Sequence, residues 1–142
     1  MIKLERSITI NAPLENVFAY VEDPELDLEW LPGLMEVWDV KGRGVETHYR
    51  WAYKMAGLRL EGEGAITEYI RNQRIVAQTK GGVVSNWTWN FEPHEGGTKV
   101  NLSMEYTVPV PVLGKLAEAL ILKQNERELD LAMTNIKARI EG

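Results

Sequence analysis

Between residues 34 and 108 apolar side chains return at every second position through six successive runs, and after Pro111 the period changes once, to that of a helix. The runs are 34–42, 45–55, 58–70, 73–80, 83–92 and 98–108. They break at Gly42 and Gly44, Gly57, Asn72, Gly81-Gly82 and Pro93–Gly97, short turns that suit antiparallel neighbours. Thr47, Tyr49, Trp51, Tyr53 and Met55 share one face, opposite His48, Arg50 and Lys54. Val83, Ser85, Trp87, Trp89 and Phe91 oppose Val84, Asn86, Thr88 and Asn90 in the same way, and Val100, Leu102, Met104, Tyr106 and Val108 repeat the pattern. One face of the resulting sheet is dry and aromatic, the other wet. Such a sheet needs a cover for its dry face.

The rest of the chain supplies that cover. Residues 3–10 read as a first strand, with Leu4, Ile8 and Ile10 on one face and Arg6 interrupting it. Ala12-Pro13 opens a short helix over 14–21, with an apolar stripe of Leu14, Val17, Phe18 and Val21. Pro24 opens a second, to about Trp30, with Leu26, Trp30 and Leu31 on one side and Glu25, Asp27 and Glu29 toward water; Pro32-Gly33 ends it. A helix over 112–140, apolar at Leu113, Leu116, Ala117, Leu120, Ile121, Leu129, Ala132, Met133, Ile136 and Ile140, is the only element long enough to cover the sheet. Asn125 sits near its centre and, if buried, needs a partner. The run 58–70 carries Gly62 and Gly64 after Gly57, as a strongly curled strand would. The expected fold is α+β: a seven-stranded curved antiparallel sheet wrapped around a long C-terminal helix, with two short helices after the first strand. At 142 residues, 1–142 reads as one domain.

Several function classes are disfavoured. The chain has no cysteine, so disulfides and thiolate metal sites are excluded. Its net charge is −5 and its cations are scattered, so no nucleic-acid partner is expected. Neither a signal peptide nor a transmembrane stretch is visible, which places the protein in the cytoplasm without membrane insertion. The two histidines, His48 and His94, lack neighbours at metal-ligand spacing, and there is no nucleophile elbow or phosphate loop. No metal or cofactor is expected. What remains is the inward aromatic set: Tyr49, Trp51, Tyr53, Trp87, Trp89 and Tyr106. A cavity lined by aromatics with a few polar handles is the usual form of a small-molecule site. Glu68 shares the alternation face of Leu58, Leu60 and Ile66, and Arg74 lies on the next strand. With Leu120 of the long helix and Trp30, these residues complete the candidate cavity. Trp30 stands in DLEWLPG, residues 27–33, where it reads as packing that closes or supports the cavity mouth. The acidic surroundings argue against a membrane anchor. The segment VPVPVLG, 108–114, is the expected opposing lip.

The stretch SITINAPLENVFAYVEDPELDLEWLPGLMEV, residues 7–37, and the tail VPVPVLGKLAEALILKQNERELDLAMTNIKARIE, 108–141, resemble the polyketide cyclase/dehydrase branch of the START-like superfamily, with its Bet v 1-type helix-grip fold. The resemblance rests on the strand ending before Ala12-Pro13, Val17-Phe18, Trp30 with Pro32, the proline-bearing strand exit, and Asn125, Leu129 and Asn135-Ile136-Lys137. It implies a deep cavity between the sheet and the last helix. Relatives bind lipids, sterols, quinones, polyketides or plant hormones, and the fold does not choose among them. The leading expectation is noncatalytic binding of a hydrophobic or amphipathic small molecule. One alternative is a cyclase- or aromatase-like enzyme using Glu68, Arg74, Tyr49 or Tyr106; another is a protein-interaction module. A protein partner and a homo-oligomer stay open.

Overall fold

The computed structural model describes residues 2–107 and 115–142. Strands β1 (Ile2–Ile10), β2 (Leu34–Lys41), β3 (His48–Met55), β4 (Leu58–Ile70), β5 (Arg74–Gly81), β6 (Val84–His94) and β7 (Gly97–Thr107) form one sheet in the order β1-β7-β6-β5-β4-β3-β2. Every neighbouring pair is antiparallel. Helices α1 (Leu14–Glu22) and α2 (Asp27–Trp30) follow β1, with a 3-10 turn at Pro24–Leu26 between them, and α3 (Lys115–Glu141) closes the chain. This is the helix-grip architecture expected from the alternation. The start of the run 45–55 departs from it, forming a 3-10 turn at Gly44–Glu46 before β3 begins. The expected strand end at 108, the helix start at 112–114 and the 108–114 lip lie outside the described residues.

Sheet and helix share one core, to which β7 contributes Val100 and Leu102 and α3 contributes Leu129, Ala132 and Ile136. α1 plugs one end of the fold. Pro13 caps that helix with its carbonyl, which accepts from Asn16 and Val17 N–H at 3.0 and 3.1 Å. The helix then buries Val17, Phe18 and Val21. Phe18 meets Phe91 and Tyr69 edge-on, at centroid distances of 5.1 and 5.4 Å. Burying one such ring contributes about 2–3 kcal/mol. The interruption at Arg6 has a structural cause: its guanidinium reaches Asp130 on α3.

Two features of β4 shape the interior. A Cβ on Gly62 would fall 2.5 Å from the Trp51 ring and 2.2 Å from the Lys80 carbonyl; one on Gly64 would fall 2.4 Å from the Tyr49 ring. Glycine at both positions lets the two β3 rings lie against the neighbouring strand. Beyond them, the β4–β5 register slips between Ile66 and Glu68, where Thr67 is the additional residue. A bulge reverses the facing of everything after it. Tyr69 therefore turns in toward Phe18, and Glu68 turns out.

On α3 the buried positions are Asn125, Leu129, Ala132, Met133 and Ile136, while Glu118, Ala119 and Leu120 are exposed. Among the described helix positions, burial is concentrated from Asn125 to Ile136, with Leu122 and Ile140 packed against the same core.

Candidate ligand cavity

Between the sheet, α2 and α3 lies a cavity of about 130 Å³. Its roof is Trp30, which is 3% exposed. The indole meets Trp89 and Trp87 of β6 edge-on at 5.7 and 6.3 Å, and those two rings stack on each other at 6.2 Å. Three contacts tie the roof to α3. Asn135 Nδ2 donates to the Trp30 carbonyl at 3.1 Å, Gly33 N–H donates to Glu128 Oε1 at 2.8 Å, and Arg139 lies 4.0 Å from Glu29. Gly33 has no room for a side chain, since a Cβ there would sit 2.7 Å from the Glu128 carboxylate and 2.8 Å from the Tyr53 ring. The DLEWLPG stretch is therefore a pinned roof.

Of the residues expected to line this space, Trp30, Tyr49, Trp51, Tyr53, Trp87, Trp89 and Tyr106 do so. Three do not. Glu68 is turned outward by the bulge at Thr67, where Arg74 Nε donates to it at 3.1 Å. Arg74 is outside because Ile75, Ala77 and Thr79 take the inner positions of β5; it also donates to Asn90 at 3.1 Å. Leu120 is 57% exposed. It precedes the inward Asn125 by five residues, about 140° away around a helix of 3.6 residues per turn. Of the four residues named for acid–base work, only Tyr49 and Tyr106 reach the cavity.

The polar lining is legible in the sequence only in part. Asn125 is buried and donates to Tyr106 Oη at 2.7 Å, the partner its position requires. Glu128 and Asp27 also line the cavity, although the helical pattern places Asp27 toward water and singles out Glu128 for nothing. Both carry a phase signal. Glu128 stands three residues after Asn125, and Asp27 three before Trp30, so each shares a helix side with a buried neighbour. Glu128 also accepts a hydrogen bond from the Tyr53 hydroxyl. Thr79, Ser85 and the Trp87 indole, which donates to Ser85 Oγ at 3.0 Å, form a further satisfied group. Trp30 Nε1 and Trp51 Nε1 are buried with no partner among the described residues.

The electrostatics are one-sided. Glu22, Asp27 and Glu128 line the cavity, and the described lining includes no lysine, arginine or histidine. Burial, reinforced by Asp27, pushes the Tyr49 hydroxyl upward; burial and Glu128 do the same to Tyr53. Tyr106 is raised by burial, with Asn125 partly offsetting it. These phenols are neutral hydrogen-bonding groups near pH 7, not bases. Asp27 is half-buried as a residue, but its carboxyl is enclosed. Desolvation first and Asp23 second raise its pKa well above the usual carboxylate range, against a smaller opposing pull from the Trp30 indole.

That shift has a testable sign. Between the ordinary aspartate value, about 4, and the raised folded value, the folded chain holds more protons than the unfolded one, so stability falls as pH rises through that window. Asp27→Asn does not titrate. Its unfolding temperature relative to wild type is expected to rise as the pH is raised above the ordinary aspartate value of about 4, as read by circular dichroism melts. A difference that stays flat with pH would place the Asp27 carboxyl in water.

Comparison with known proteins gives the cavity its context. Residues 1–141 match the family described as polyketide cyclase / dehydrase and lipid transport. The chain belongs to that family. No match was found among curated proteins. Among solved structures, TTHA0849 from Thermus thermophilus is similar with a TM-score of 0.84 and 22% identity, covering 98% of this chain and 97% of that one. The Zhui aromatase/cyclase from Streptomyces sp. R1128 has a TM-score of 0.82 at 14% identity, over 99% and 93%. Ara h 8.0201 has a TM-score of 0.69 at 15% identity, over 98% and 97%. At these identities the likeness is one of fold. The family supports a hydrophobic ligand-binding fold for this polyketide cyclase/dehydrase-family chain. No helix among its described residues is long and apolar enough to cross a membrane.

Proposed function

We propose that the protein binds a small hydrophobic or amphipathic molecule of the lipid, quinone or polyketide class in this cavity, and carries or presents it rather than transforming it. The observation behind this reading is the cavity itself: an internal space walled by four tryptophans and three tyrosines where a solid core would be more stable. An engineered apolar void of about 150 Å³ takes up benzene. By that measure the space of about 130 Å³ admits a molecule of one ring, and a larger one requires the roof to shift. The interior is not solid, which favours this reading over a protein-interaction module. The acid–base set suggested for an enzyme is divided, with Glu68 and Arg74 on the outer face. Native mass spectrometry of the purified protein tests the reading. A co-purifying small molecule that organic extraction removes is the expected result. A bare chain that also fails to take up added aromatic compounds would refute it.

A further inference from the structure

At the α2 end of the cavity Asp27 and Trp30 stand near Tyr49, with Trp51 next to it on β3, and two of these four residues carry buried polar groups without a partner. Trp30 and Trp51 are 3% and 4% exposed, and both indole N–H groups lack a partner among the described residues. An indole nitrogen is a donor only: Trp30's has the Asp27 carboxyl beside it but outside hydrogen-bond geometry, and Trp51's has no acceptor among the described residues. Tyr49 and Trp51 are neighbours on the inner face of β3, and Asp27 stands close enough to both Trp30 and Tyr49 to interact with each. Buried polar groups are rarely left unpaired, and orphaned donors lining a cavity point to an absent acceptor.

We propose that Asp27, Trp30, Tyr49 and Trp51 form the polar end of a ligand subsite that accepts the oxygen of a neutral carbonyl or hydroxyl compound and rejects the matching carboxylate. This rests on the binding reading above and adds the head-group chemistry. A ketone, quinone or alcohol oxygen accepts from indole N–H and phenol O–H, while its ring body lies against Trp87, Trp89 and Ala77. Asp27 fits the same role, since its burial favours the protonated form, which donates instead of repelling an acceptor. A carboxylate of the same shape would enter beside Glu22 and Glu128 and meet no cation among the described lining residues. Like charges in a low-dielectric space repel strongly, so the selection is electrostatic as well as geometric.

The test uses three one-ring probes, acetophenone, benzoate and toluene, titrated calorimetrically into the full chain at neutral pH. The ketone is expected to bind at least about tenfold more tightly than the carboxylate, a ratio equivalent to about 1.4 kcal/mol. Trp51→Phe keeps a ring but removes one donor, and is expected to weaken the ketone about three- to tenfold while leaving toluene unchanged. Tyr49→Phe is the second variant. The wild-type ratio of ketone to carboxylate stands by itself whatever the variants do to folding. Equal affinity for ketone and carboxylate overturns the subsite, as does an unchanged ketone affinity in both folded variants. Binding of none of the three overturns the ligand-cavity reading and the subsite with it.

Discussion

Trp30→Ala is expected to lower the stability of the folded chain by about 3–5 kcal/mol, the usual cost of emptying a buried aromatic site. The ring is 3% exposed, and it holds two other tryptophans in edge-on contact. Its removal therefore costs its own burial and loosens the wall of the cavity. A shift in the urea midpoint with an unchanged slope would report it. Trp30→Phe, which keeps an aromatic roof, should lose less than half as much. Because the roof is pinned to α3 through Asn135 and Glu128, the same two variants separate cover from support. If Trp30 covers the ligand, release measured by stopped flow is faster in a folded Trp30→Ala protein. If release is unchanged, Trp30 serves packing alone.

Glu128→Ala is expected to destabilise by about 2–4 kcal/mol, because it leaves two donors, Gly33 N–H and the Tyr53 hydroxyl, without an acceptor. Loss of a partly buried acid offsets some of that cost. Glu128→Gln retains an acceptor oxygen and should retain most of the stability. Chemical denaturation of the two variants side by side distinguishes the outcomes. If alanine and glutamine both behave like wild type, the carboxylate does not hold the roof.

The fold was legible because its signal is periodic. Alternation over 47–55, 83–91 and 100–108 separates inside from outside at each residue, and the switch after Pro111 leaves one helix to fill the grip. The aromatic walls of the cavity follow from the same alternation. Periodicity fails where the period slips. Glu68 reads as inward only if β4 is regular, and the additional residue at Thr67 cannot be seen in a run that alternates well on either side. Leu120 misled for another reason: it is apolar, but out of phase with Asn125, and in a helix phase decides facing before hydrophobicity does. Asp27 and Glu128 are acids, so residue type alone assigned or left them to solvent. Their spacing from Trp30 and Asn125 held the opposite information.

The central claim is that the space under Trp30 is a binding site and not a packing defect. The most direct measurement is calorimetric titration of toluene into wild type and into Ala77→Phe, whose added ring would occupy the cavity from the floor of β5. Overpacking of this kind costs about 1–3 kcal/mol, so a thermal melt first establishes that the variant is folded. The account predicts saturable binding to wild type at one site per chain and none to the folded variant. Equal binding to both proteins, or none to wild type, would contradict it.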